Sequence, residues 1–204
     1  MKSMKKTMKT RIAEVKRATT ETNIKIKLII DGKGTAKVTT KIGFLDHLFE
    51  TFARFGVFDV ELYATGDLEV DQHHLVEDCG LVLGQAFREA LGDKRGINRV
   101  GYFVFPMDES LSVVAVDISN RPYLNVDASF AAETVGGFQT ELITDFFYGF
   151  SVGLQATIHV RMLSGRSDHH KIESIFKGFG KAMKMACSYD QRMLDDVPST
   201  KGLL

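Results

Sequence analysis

His-His-x-x-Glu is written twice in this chain, once in "HHLVEDCGLVLGQAF" from His73 and once in "HHKIESIFKGFGKAM" from His169, 96 residues later. The same interval separates Glu77 from Glu173 and Gly84 from Gly180. The patterns between the repeats recur as well. "TNIKIKLII" puts Ile24, Ile26, Leu28 and Ile30 on one face, the period-two signature of a half-buried strand. "DGKG" then reads as a hairpin turn with "TAKVTTKI" as its return strand. "FLDHLFETFARFG" spaces its aromatic and leucine residues as a short amphipathic helix stopped by glycine, and "VFDVELYAT" is a strand before the first His-His helix. In the second half "LSVVAVDIS" and "PYLNVDASF" are strands, "FQTELITDFFYGFS" resembles the Phe44–Gly56 helix, and "QATIHVRML" leads into the second His-His helix.

Each half therefore reads strands, helix, strand, helix. Such a half has one sheet face to cover, which two helices can do. The chain is expected to be α+β, with internally duplicated half-domains, each a mostly antiparallel sheet covered on one face by helices. The boundaries are residues 1–10 as a frayed terminus, 11–95 and 96–190 as the halves, and 191–204 as a tail. With 204 residues, 44% of them hydrophobic, the chain can bury a core of that size. Lys+Arg and Asp+Glu balance at 26 each, so no global field argues for nucleic acid or an anionic membrane. "MKSMKKTMK" lacks the apolar run of a signal peptide, and nothing approaches the roughly 18 apolar residues of a membrane helix. Cys79 and Cys187 match no zinc or redox spacing. These features describe a cytoplasmic globular protein.

On a helical wheel with His73 at zero, His74 falls near 100° and Glu77 near 40°. Leu75, Val76, Cys79, Val82, Leu83, Ala86 and Phe87 take the other side. His169, His170 and Glu173 share an arc in the same way, opposite Ile172, Ile175, Phe179 and Met183. Imidazoles with a carboxylate suit Zn, Mn, Fe, Ni or Cu, and two matched clusters suggest two metals. Neighbouring histidines diverge on a helix, so His73 and His74 should serve different metals. Each metal then needs ligands from the other half or from another subunit. His47, at the edge of its helix's apolar stripe, fits a ligand and a hydrogen-bonded core histidine equally. His159, in an alternating strand, reads as structural. On composition alone "PSTKG" near the end reads as a loose tail.

Several long motifs in order, "RATTETNI", "IGFLDHL", "HHLVEDCGLVLGQA", "PMDESL", "DISNRPY", "HHKIESIFKGFGKA" and "PSTKG", resemble the imidazoleglycerol-phosphate dehydratase family of histidine biosynthesis. The resemblance runs from about Arg11 to Leu204. It implies a lyase of the carbon-oxygen hydro-lyase class that converts D-erythro-imidazole glycerol phosphate to imidazole acetol phosphate. It further implies two Mn2+ per active site, a ribosomal protein S5 domain 2-like half-domain, and a homo-oligomer of 24 subunits with active sites at subunit interfaces. The ligands it implies are His47, His73, His74, Glu77, Asp145, His169, His170 and Glu173. Glu21 would move a proton beside the substrate, in a catalytic set with Glu77 and Glu173. Arg99, Arg121, Lys177, Ser199, Thr200 and Lys201 would hold the phosphate. Asp145 stands where family members often carry a histidine ligand, Phe55 where several have histidine, Lys41 where many have glycine and Gln72 where many have aspartate.

The chemistry gives the duplication a reason. A carbon bearing a hydroxyl is a very weak acid, so a lone carboxylate could not deprotonate it at a useful rate. An imidazole ring bound through both nitrogens becomes an imidazolate that can expel the hydroxyl beside it. The resulting diazafulvene acidifies the neighbouring C–H. Two nitrogens on different ring edges call for two metals, and two metals for two donor clusters. A dimetal phosphohydrolase would use the same donor types with more bridging aspartates. A metal-storing shell would leave Glu21 and the basic residues without a role.

Overall fold

A computed structural model describes residues 10–203. The basic segment before Thr10, expected to be frayed, lies outside the described residues. The first half contains β1 (Ile12–Ala18), β2 (Thr22–Ile29), β3 (Ala36–Thr39), α1 (Gly43–Gly56), β4 (Asp59–Gly66) and α2 (His73–Leu91). The second contains β5 (Val100–Met107), β6 (Ser110–Asp117), β7 (Tyr123–Asp127), a small hairpin of β8 (Thr134–Val135) and β9 (Phe138–Gln139), α3 (Leu142–Leu154), β10 (Thr157–Ser164) and α4 (Asp168–Cys187). The main sheets are ordered β1-β2-β4-β3 and β5-β6-β10-β7. In each, the first three strands are antiparallel and the last joins in parallel, β3 beside β4 and β7 beside β10. The α+β architecture with helix-backed sheets is as the sequence pattern predicted.

One expectation fails. "DGKG" does not close a hairpin: β3 pairs with β4, not with β2. The Asp59 carboxylate at the start of β4 accepts from the backbone N–H groups of Lys33 (2.9 Å) and Thr35 (3.0 Å) and from the Thr35 hydroxyl (2.7 Å). That clamp carries the chain across β4 to its far edge. The segment leaves β2 without returning alongside it. β2 instead lies between β4 and β1, the latter a strand that the pattern did not reveal. The β1–β2 turn is built by Thr19 Oγ1, which accepts from the N–H groups of Glu21 (3.1 Å) and Thr22 (2.9 Å).

Each sheet buries one face. Ile24, Ile26, Leu28, Val60 and Leu62 point inward from the first, and Val114, Val116, Ile158 and Val160 from the second. The four helices lie between the sheets and merge both halves into one apolar cluster. They pair across the duplication, α2 with α3 and α1 with α4. Small residues permit the close approach. A Cβ added at Gly80 or Gly84 would run into the Phe146 or Phe150 carbonyl of α3, and one at Gly149 into the Glu77 carbonyl of α2. In the matching α1–α4 contact, a Cβ at Gly180 would stand 2.6 Å from the Phe52 carbonyl oxygen. Gly149→Ala should therefore lower the unfolding free energy by about 1–3 kcal/mol through overpacking, seen as a lower urea midpoint.

Arg11 closes the sheet end. Its guanidinium donates to Asp31 at 3.0 and 2.6 Å and to the Cys187 carbonyl at 2.6 Å, and it lies 4.2 Å from the Tyr189 ring centroid. Burial would raise the Asp31 carboxyl, but the Arg11 hydrogen bonds and charge hold it below the usual carboxylate range. A lowered folded-state value stabilises the fold above the unfolded pKa, and that contribution is lost as pH falls through the folded value. Asp31→Asn should lower the thermal midpoint at neutral pH, with the deficit shrinking below about pH 4.

Candidate active site

The histidine pairs sit in the first turns of α2 and α4, where their arcs face away from the apolar stripe as the wheel predicts. Adjacent rings stand perpendicular, with centroids 6.1 Å apart for His73 and His74 and 6.0 Å for His169 and His170. The two members of a pair therefore address different places.

The α1–α4 pairing brings His47 of the first half to the triad of the second. Glu173 Oε1 lies 2.6 Å from His47 Nε2 and 3.0 Å from His169 Nε2, and Lys177 Nζ donates to Oε2 at 2.6 Å. The donor atoms of His47, His169 and Glu173 all lie within 4.8 Å of one another. Burial pushes the Glu173 carboxyl up, but hydrogen bonds from Lys177, His47 and His169 hold it at about 2. The group offers a fixed anion between two half-exposed imidazoles, and the core-histidine alternative for His47 falls away because its side chain is 45% exposed. The α2–α3 pairing makes the counterpart. His73 Nε2 stands 3.5 Å from Glu77, and its Nδ1 stands 3.9 Å from Asp145, which α3 presents as α1 presents His47.

The second histidine of each pair meets carboxylates. His74 Nδ1 lies 3.1 and 3.2 Å from the Asp67 oxygens and 3.9 Å from Glu21 at the β1–β2 turn. The Asp67 hydrogen bond raises the His74 pKa, with Glu21 and Asp71 adding to it. His170 Nδ1 lies 2.9 Å from Glu109 at the corresponding β5–β6 turn, with Asp108 at 3.9 Å. The His170 hydrogen bond, with N–H donors from Ser167 and Arg166, holds the Glu109 carboxyl at about 2. An Nδ1 held in this way leaves Nε2 as the outward donor, the usual arrangement behind a metal-binding imidazole.

Arg99, Arg121, Ser199, Thr200 and Lys201 line one cavity of about 410 Å³, together with Ser119, Asn120 and Leu203. Arg99 is held in left-handed backbone (φ 68°) and grips Asp117 in two hydrogen bonds of 2.6 and 3.0 Å. It also donates to the Pro198 carbonyl at 2.9 Å, so the terminal segment is folded against it and is not a loose tail. Lys177 is not brought to this cavity; its ammonium pairs with Glu173. His159 lies on the exposed face of β10 against Tyr123, outside both donor groups.

The imidazoleglycerol-phosphate dehydratase family description matches residues 40–183. Relatives of that name from Koribacter versatilis and Desulfitobacterium hafniense are 54% and 53% identical, covering 95% and 97% of this chain and all of theirs. A crystal structure of IGPD from Pyrococcus furiosus superposes with a TM-score of 0.81 at 39% identity, over 93% of this chain and 100% of that one. The dehydratase structure from Staphylococcus aureus gives 0.79 at 36% identity, over 88% and 99%. The chain belongs to the imidazoleglycerol-phosphate dehydratase family. It is accordingly an enzyme of the hydro-lyase class.

Three of the four positions that the motif resemblance set apart, Lys41, Gln72 and Phe55, have local explanations. Lys41 takes the left-handed backbone (φ 67°) that glycine adopts without strain. Gln72 donates to the Gly137 carbonyl at 2.7 Å and accepts from the Gln139 N–H at 3.3 Å, a two-way grip on the β8–β9 hairpin that an aspartate could not make. Phe55 packs edge-on against Phe105, with the Lys177 and Lys181 ammonium groups 5.6 and 5.8 Å from its centroid. Sequence reasoning passed over Asp67, Asp108 and Glu109. The "MDE" turn within "PMDESL" was a signal, but only the β5–β6 pairing shows that it reaches His170. For any metal ion held through His170, Glu109→Ala is expected to weaken its binding by about 10–100-fold, measured by titrating metal-stripped protein with a divalent cation, while the fold is retained.

Proposed function

We propose that the protein removes water from imidazole glycerol phosphate to give imidazole acetol phosphate in L-histidine biosynthesis, with two manganese ions per active site. The observation that carries the reading is the donor group of His47, His169 and Glu173, drawn from both halves, with a matching set of His73, Glu77 and Asp145. Imidazole and carboxylate together suit manganese, and Asp145 supplies the harder donor. His74 and His170 complete the ligand set through their outward nitrogens. When bound, the ions would supply Lewis acidity at the two nitrogens of the substrate ring.

The chain's own residues do the rest. Lys177 keeps Glu173 anionic, and Glu77 and Glu173 orient the histidines beside them. Glu21, at the exposed tip of the β1–β2 turn, moves the proton on the carbon next to the departing hydroxyl, a role typically worth about 10²–10⁴-fold. Arg121, Lys201, Ser199, Thr200 and the Asp117-anchored Arg99 hold the phosphate. The donor groups lie at several places on the surface, which favours active sites completed by other subunits; the number of subunits, 24, is the one the motif resemblance implies. The outer face of the second sheet supports association too, since it exposes Tyr102, Val104, Tyr123 and Leu163. No described helix is long and apolar enough to cross a membrane, and we place the enzyme in the cytoplasm.

The direct test titrates metal-stripped protein with manganese and follows ketone formation from imidazole glycerol phosphate. Activity saturating at about two ions per chain is expected; metal uptake without turnover would overturn the reading. Glu21→Gln should cut turnover by about 10²-fold or more with metal content unchanged. A parallel loss of metal would move Glu21 into the coordination shell.

A further inference from the structure

Lys94 lies just past α2 in the "GDKRG" turn and is only 5% exposed. Its Nζ donates to Asn120 Oδ1 at 3.1 Å, and among the described residues no carboxylate pairs with it. Burial and the nearby Arg88 charge both disfavour its charged form. A buried ammonium facing a like charge, answered only by a neutral amide, is destabilising as it stands. Its partner explains why it is kept. Asn120 is one of the residues lining the cavity of Arg99, Arg121 and Ser199–Lys201.

A lysine can only donate, so it fixes which end of the Asn120 amide faces it. Oδ1 must turn toward Nζ, and the Nδ2 amino group must turn the other way. That amino group makes no hydrogen bond among the described residues. The backbone is fixed as well, because Asn120 is held at φ 62°, in the left-handed region that asparagine tolerates. The charge arrangement of the cavity calls for such a donor. Arg99 is already paired with Asp117, which leaves Arg121 and Lys201 as the cavity's cations with no ion pair among the described residues.

We propose that Asn120 is a further phosphate-contacting residue, donating through Nδ2, and that Lys94 is a positioning residue that fixes and polarises the Asn120 amide for that purpose. The inference rests on the cavity's being the phosphate site. It adds to that reading a neutral donor and a buried cation acting through it.

The test uses inorganic phosphate as the probe, followed by its stabilisation of the full-length protein against heat, with the Michaelis constant for substrate alongside. Asn120→Gly keeps the left-handed backbone without the side chain, so it should fold normally. It should weaken the phosphate response by about three- to tenfold and raise the Michaelis constant to match. Lys94→Met should do the same through its effect on the amide. The double variant should be no weaker than Asn120→Gly alone, because one residue works through the other. Asn120→Asp should weaken phosphate binding further by placing a carboxylate at the cavity. If Arg121→Ala loses the response while Asn120→Gly and Lys94→Met keep it, the proposal fails and the phosphate site stands. If the unaltered protein shows no response to phosphate or to substrate, the cavity reading fails and takes the proposal with it. Additive losses in the double variant would overturn the positioning role of Lys94.

Discussion

Along α2 and α3 the backbones meet at glycines with nothing between them, and α1 and α4 meet in the same manner around Gly180. Neither contact joins helices of one half. Each ties a histidine helix to the shorter helix of the other half, so the duplicated units cannot separate without opening the core they share. The same crossing delivers His47 to Glu173 and Asp145 to His73. Helix packing and donor geometry are one arrangement. A side chain added at the crossing would push apart the groups meant to converge.

Around that frame, carboxylates set the electrostatics. Glu173 is buried and stays ionised because Lys177, His47 and His169 surround it. Asp67 and Glu109 hold the inner nitrogens of His74 and His170 and turn the outer ones to solvent. The histidines themselves remain substantially exposed, His47, His73 and His169 by nearly half. The cavity lined by Arg99 and Arg121 follows a different logic. It gathers cations from the strand-end loops and from the terminal segment, and it spends one carboxylate, Asp117, to hold Arg99 in place. Left-handed backbone at Arg99 and Asn120 borders this cavity.

Much of this was legible in the sequence. The 96-residue interval revealed the duplication, the wheel placed the histidines opposite the core, and long ordered motifs identified the family. These are local or periodic properties, fixed by the spacing of residues along one chain. The strand partners were not legible. "DGKG" carries hairpin chemistry, yet the Asp59 clamp sends β3 to the far edge of β4, and such a contact leaves no periodic trace. Nor could spacing show that Lys94 lies behind Asn120, that Lys177 pairs with Glu173 away from the Arg99 cavity, or that Glu109 stands behind His170.

The sequence by itself determined which residues could bind metal, on which helix faces, and in how many copies, because period and residue chemistry decide those matters. Only the tertiary structure decided which donors meet. Convergence depends on helices crossing between halves at glycines and on strands pairing out of order. Those contacts arise from packing across the whole fold, and no neighbouring stretch of chain encodes them.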